Sequence, residues 1–230
     1  MNEILDGLIK AFQLIFSGDP RVYEIVFRSF FISGTAMLIA SLWGIPIAML
    51  LGNKNPPGKF LVKGVFNTLI GIPTVALGLV LFLILKRSGP LGFLSLLYTP
   101  TAIIIGEAIL ITPIIVSLAT TAIEAVDPEM MNLARTLGAS EGEASFAVLK
   151  EALNGILLAE IASFNRALGE LGVASIVGGG IVGWTEVLTT GIALETARDE
   201  IDVAIALGVI LLLMVFATTI AISSLQRKRK

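Results

Sequence analysis

NLARTLGAS, residues 132–140, is a polar run inside a chain that is otherwise mostly apolar. Upstream, Asp127-Pro128 reads as a helix N-cap followed by proline at the first helical position, where its missing N–H costs nothing. Met130, Leu133, Ala134 and Leu137 then share one helical face, with Glu129, Asn132 and Arg135 elsewhere. Gly138 stands where a left-handed C-cap is wanted, and Ser140 with Glu143 forms a capping box for the next helix. The stretch is therefore a short, capped, amphipathic helix. Its apolar face either packs on the protein's own helix ends or docks a partner.

The surrounding composition makes such a helix unexpected. The chain is 55% hydrophobic and 15% charged, where soluble domains carry about 25% charge; its mean hydropathy is +0.91. A net charge of −2 supplies no basic field for nucleic acid. With no Cys and no His, disulfides, thiol nucleophiles, imidazole bases and the usual zinc sites are excluded. No acidic pair stands at catalytic spacing, and no Gly-x-x-x-x-Gly-Lys-[Ser/Thr] loop is present to cradle a nucleotide. The reading is a non-enzymatic membrane protein.

A helix needs about 20 largely apolar residues to cross a bilayer core. Five stretches qualify: residues 23–51, 64–85, 100–123, 155–177 and 203–225. The third carries Glu107, and the fourth carries Glu160, Arg166 and Glu170. The expected fold is an all-α membrane protein of about five transmembrane helices. Glycines and prolines within the spans (Gly44, Pro46, Gly71, Pro73, Pro113) permit kinks and close packing.

Loop charge orients the chain. With the C-terminus in the cytoplasm, the inner segments hold Lys54, Lys59, Lys63, Arg135, Lys150 and the basic tail from Arg227. The outer segments hold the more dispersed Arg21, Arg28, Lys86, Arg87 and Arg198. The N-terminus is then outside. Its first residues are acidic and lack a basic region, so no cleavable signal peptide is expected. Residues 1–18 read as an amphipathic segment at the interface, or else as a frayed start to the first span. Residues 19–230 form one domain, with a cytoplasmic loop at 124–151.

The run MNLARTLGASEGEASFAVLKEAL, residues 131–153, resembles the cytoplasmic signature loop of ABC importer permeases. That signature is Glu-Ala-Ala, three residues, Gly, and about nine residues later Ile-x-Leu-Pro. Asn132, Leu133 and Ala134 fall on its first three positions, Gly138 on the glycine and Val148 near the isoleucine. Asn132-Leu133 replace Glu-Ala, and Lys150-Glu151 replace Leu-Pro. The resemblance implies a type I importer permease whose coupling helix sits in a groove of a cytoplasmic ABC ATPase dimer. The coupling residues would be Met130, Met131, Leu133, Ala134, Arg135, Leu137, Gly138 and Ala139. ATP-Mg would be bound by that partner, with no cofactor on this chain. It also implies a homodimer enclosing one path in the cytoplasmic membrane, and an extracytoplasmic binding protein that delivers the cargo.

A second run, FNRALGELGVASIVGGGIVGWTEVLTTGIALETA (residues 164–197), resembles the molybdate, sulfate and tungstate permeases, most of all the tungstate branch. Arg166-Ala167, Glu170 and Gly172 match Arg-Ala-x-x-Glu-x-Gly. Gly180 stands where that branch commonly has Asn. The implied cargo is an oxyanion, tungstate first, with molybdate or sulfate as alternatives; an ATP-independent anion channel or carrier is the other class.

A dianion cannot cross bare hydrocarbon, so a path must be polar yet weakly binding. Thr74, Thr112, Asn165, Arg166, Glu170, Gly178 and Gly179 are the expected lining, with Thr68, Pro73 and Ser117 beside them. Arg166 and Glu170, four apart, can pair on one helix face, leaving Arg166 as either scaffold or pathway electrostatics. Glu107 and Glu160 are expected to hydrogen-bond neighbouring helices. Beyond the fourth span, residues 184–202 read as a short helix with Thr185 as N-cap. The acidic lip of Glu186, Glu195, Asp199, Glu200 and Asp202 would face the binding protein, or else be a solvated loop with no partner.

Overall fold

The computed structural model describes residues 2–53 and 56–227. Lys54 and the last three residues of the basic tail lie outside the described residues. Ten α-helices follow in order: α1 (Asn2–Ser17), α2 (Pro20–Asn53), α3 (Lys59–Leu69), α4 (Thr74–Leu85), α5 (Pro100–Glu124), α6 (Pro128–Thr136), α7 (Glu141–Glu151), α8 (Leu153–Leu168), α9 (Leu188–Ala197) and α10 (Ile201–Arg227). No strand occurs among the described residues.

The bundle is organised around α2 and α5. On α2, Ala36, Ala40, Gly44, Ala48 and Gly52 recur every fourth residue and form one small-residue stripe. In apolar surroundings helices associate by close packing, so a stripe of this kind lets backbones approach. A methyl built on Gly44 would lie 2.9 Å from Ile115 Cγ2, and one on Gly52 would lie 2.4 Å from Ile123 Cγ2. Buried residues of α4, α8 and the π-helical turn Ala174–Gly178 complete this core.

Two further clusters mark the ends. At one end Ala48, Ala119, Ile123, Val148 and Ile156 pack with Met130 and Met131, bringing α6 and α7 onto the tips of α2, α5 and α8. At the other, Val22, Ile25, Leu188, Leu207 and Ile210 join α2, α9 and α10, with Leu14 and Ile15 of α1 against them. α1 is a separate helix and not a frayed start to α2. Gly18 turns the chain at φ +69°, and the Asp19 carboxylate accepts from Val22 N at 3.1 Å. Gly7 and Ala11 are buried, Gly7 against Ile205 of α10, while Leu5, Ile9, Phe12 and Phe16 are exposed.

Two of the five expected spans differ from the sequence reading. The second is broken: α3 and α4 meet at 96°, because Gly71 and Pro73 interrupt the backbone ladder and Pro73 becomes the N-cap of α4. The fourth stops at Leu168, not Val177. Its helix has 16 residues, too short to cross alone, and Gly169 closes it before the π turn. Among the described residues three helices, α2, α5 and α10, are long and apolar enough to span, or four crossings if the bent pair counts as one.

Candidate functional site: an exposed capped helix and a buried ion pair

The short helix α6 forms as its caps require. The Asp127 carboxylate accepts from Glu129 N at 2.9 Å, and Pro128 takes the first turn. At its far end Ala139 N donates to Ala134 O and Gly138 N to Arg135 O, both at 3.0 Å, with Gly138 at φ +89°. These two bonds constitute a Schellman stop. Ser140 then starts α7 with both halves of the capping box. Its backbone N–H and hydroxyl hold the Glu143 carboxyl below the usual range. Arg135 grips Glu141 with a fork of 2.8 and 2.9 Å, locking α6 to α7.

The apolar residues of α6 do not share one fate. Met130 and Met131 pack inward on the helix tips, and Ala134 is half-buried. Leu133 and Leu137 point away, 57% and 80% exposed. The single face expected from sequence therefore divides between an anchor and a free ridge. Lys59 and Lys63 of α3 reach Glu124 of α5 at 3.0 and 2.6 Å near this end.

Deeper in the bundle, Arg166 Nη1 lies 2.6 Å from Glu170 Oε2. The other carboxylate oxygen accepts from Val173 N at 3.0 Å, and Thr189 donates to the Glu170 carbonyl at 2.7 Å. Glu170 thus starts the turn that follows α8 while holding the arginine. Gly172 is pressed against the break of the second span: a methyl on it would lie 2.6 Å from Thr74 Oγ1 and 3.2 Å from Glu170 Oε1. Glu107, buried on α5 and in contact with Ser33, lies close enough to feel both charges.

Of the expected lining, Thr74 and Glu170 flank Gly172, and Arg166 pairs with Glu170. Asn165 does not join them; its amide donates to Thr219 and its carbonyl accepts from Thr218, tying α8 to α10. Thr112 accepts from Trp43 Nε1 at 2.8 Å, and Ser117 bonds Asn67 across to α3. Gly178 and Gly179 serve close packing, against Ile103 and Tyr98 respectively. Glu160 accepts from Ser41 at 2.7 Å, joining α8 to α2.

The acidic outer lip is corrected. Glu186 and Glu195 are buried, and both hold Arg21 from the start of α2. Arg28 donates to the Glu186 carbonyl and Arg198 pairs with Glu195. Burial makes these carboxylates internal ion-pair partners and leaves only Asp199, Glu200 and Asp202 of the lip. Thr185 is not the N-cap of α9, which is Val187. Its hydroxyl donates to Gly178 O at 2.6 Å and accepts from Ile181 N, closing the glycine-rich loop. Arg21 is the functional-looking residue that sequence reasoning missed, since its partners are 165 and 174 positions away.

Comparison with known proteins agrees with this architecture. The chain is 39% identical to a tungstate uptake system permease protein, TupB, of Peptoclostridium acidaminophilum, over 99% of this chain and 100% of that one. It is 31% identical to the TupB permease of Campylobacter jejuni, over 99% and 95%. A chain of the MetNI methionine ABC transporter, solved in an inward-facing conformation, shares the fold with a TM-score of 0.74 at 18% identity, over 92% of this chain and 99% of that one. Residues 44–230 match one family model. The chain belongs to the binding-protein-dependent transport system inner membrane component family, and is a multi-pass protein of the inner membrane.

Proposed function

We propose that this chain is the membrane subunit of an ATP-driven importer for tungstate. Two copies enclose the path, a cytoplasmic ATPase dimer drives it, and an extracytoplasmic protein delivers the oxyanion. In this reading α6 faces the cytoplasm, the N-terminus is outside and the C-terminus inside. The chain itself performs no catalysis, and ATP-Mg is bound by the ATPase.

The observation that carries the reading is the ridge of Leu133 and Leu137, held out by a helix capped at both ends and anchored through Met130 and Met131. A carrier or channel working alone has no need for such a helix. Full-length likeness to two tungstate permeases supports the cargo. The pair Arg166–Glu170 beside Thr74 offers a polar contact for a tetrahedral dianion at the break in the second span.

The test is uptake by the complex reconstituted with its ATPase and binding protein, supplied with tungstate, molybdate or sulfate. ATP-dependent uptake selective for tungstate is expected. Preference for molybdate or sulfate would reassign the cargo, and uptake without the ATPase would overturn the mechanism.

A further inference from the structure

Arg166 and Glu170 are unequally placed. The arginine side chain is 37% exposed, whereas the carboxylate is 2% exposed. Each oxygen of Glu170 already has a donor, Arg166 Nη1 on one and Val173 N on the other. Among the described residues Arg166 hydrogen-bonds the protein through Nη1 alone, with the buried Glu107 in electrostatic reach. A guanidinium carries five donors in a planar fork suited to oxyanions, so most of its donors make no hydrogen bond to the described residues. The carboxylate beneath is fixed from two directions and has nowhere to go.

We infer that Glu170 is a resident attenuator of anion binding at Arg166. This rests on the proposed function above. A tetrahedral dianion that meets Arg166 alone faces a full positive charge beside an apolar core, where such attraction is strong. Met with Glu170 behind it, the same fork presents its donors while the pair carries no net charge. The geometry of recognition is kept and the Coulombic well is made shallow. A transport path has this requirement, because an ion held too well does not leave. Glu170 acts through Arg166 without touching the cargo, and is a positioning and charge-setting residue. Gly172 is part of the device, since any side chain there would strike Thr74 Oγ1 and crowd the carboxylate.

The experiment uses the permease–ATPase complex in lipid nanodiscs, without binding protein, and measures tungstate binding directly. Glu170→Gln keeps an oxygen to accept from Val173 N and removes the charge. It is expected to bind tungstate about tenfold tighter or more. In proteoliposomes with the binding protein, its uptake should show a lower KM and a lower kcat together. Arg166→Gln/Glu170→Gln should lose the tightening. Unchanged binding by an assembled Glu170→Gln complex would reduce Glu170 to a scaffold residue and overturn the inference. So would a double variant that binds as tightly as the single one. Where Glu170→Gln does not assemble, Glu170→Asp, with its charge drawn back by one methylene, should tighten binding about threefold, and no tightening overturns the inference. Failure of the wild-type complex to import tungstate would fell the functional reading itself. Wild-type import with unchanged Glu170→Gln binding would fell the attenuator alone.

Discussion

Gly106 of α5 and Val173 of the turn after α8 are in backbone-to-side-chain contact: a methyl built on Gly106 would lie 2.4 Å from Val173 Cγ1 and 3.1 Å from Leu81 Cδ1. Three elements meet on one hydrogen atom, and the neighbour with the shortest distance is a β-branched side chain in a buried turn. Gly106→Leu should overpack this point and destabilise the bundle by about 1–3 kcal/mol. The thermal midpoint of the detergent-purified chain checks it. Gly64→Leu, at a glycine inside α3 with nothing within 4 Å, should not lower the midpoint.

The ridge of α6 predicts a separation of insertion from coupling. Leu137→Asp changes a residue that is 80% exposed, so membrane abundance should match wild type. Co-purification of the ATPase and ATP-driven uptake should both fall at least about tenfold, the order expected for an apolar anchor at an interface centre. Asp127→Ala should act differently, removing the N-cap bond and costing about 1 kcal/mol of α6 stability. Faster hydrogen exchange confined to residues 128–136 would report it.

Arg21 should be worth more to the fold than its exposure implies. Arg21→Gln leaves the buried Glu186 without its cation and Glu195 with Arg198 alone. Since the arginine is partly solvated, the loss should be about 2 kcal/mol, below that of a fully enclosed pair. Arg21→Gln/Glu195→Gln should recover part of it. Thermal midpoints of the two variants against wild type give the comparison.

The capping box of α7 predicts a pH dependence with a definite sign. Bonds from the Ser140 backbone and hydroxyl hold the Glu143 carboxyl below its ordinary value. A depressed carboxyl contributes stability above its unfolded pKa and loses it as pH falls through the folded one. Amide protection at the start of α7 should therefore exceed that of Glu143→Ala at neutral pH. The difference should vanish as pH falls below the usual glutamate range.

Much of this was legible in the sequence because it is local. The caps of α6 and α7 use residues within five positions of one another, and Arg166 pairs with Glu170 four positions on, just past the end of α8. The three long apolar helices follow from composition alone. The break between α3 and α4 was harder to read: apolar residues continue on both sides of Gly71 and Pro73, so hydropathy runs through the bend. Only packing against Gly172 and the turn Ala174–Gly178 gives the second piece its direction. The burial of Glu186 and Glu195 depends on Arg21 from the opposite end of the sequence, and no local pattern carries that. The stripe Ala36, Ala40, Gly44, Ala48 is what sets α2 against α5, and hydropathy alone does not single it out.

The 96° bend at residues 70–73 has a consequence for the lipid around the molecule. At the bend the N–H groups of Ile70, Gly71 and Ile72 turn back onto Phe66, Thr68 and Leu69, but the carbonyls of residues 70–72 gain no backbone donor among the described residues, and hydrocarbon offers them none. Fatty-acyl chains are therefore barred from this flank at the depth of the bend, where only water or more polypeptide can stand. The molecule has a lipid-tolerant perimeter that is not a closed ring. One sector of it must be kept dry of lipid by something other than this chain's own regular helices.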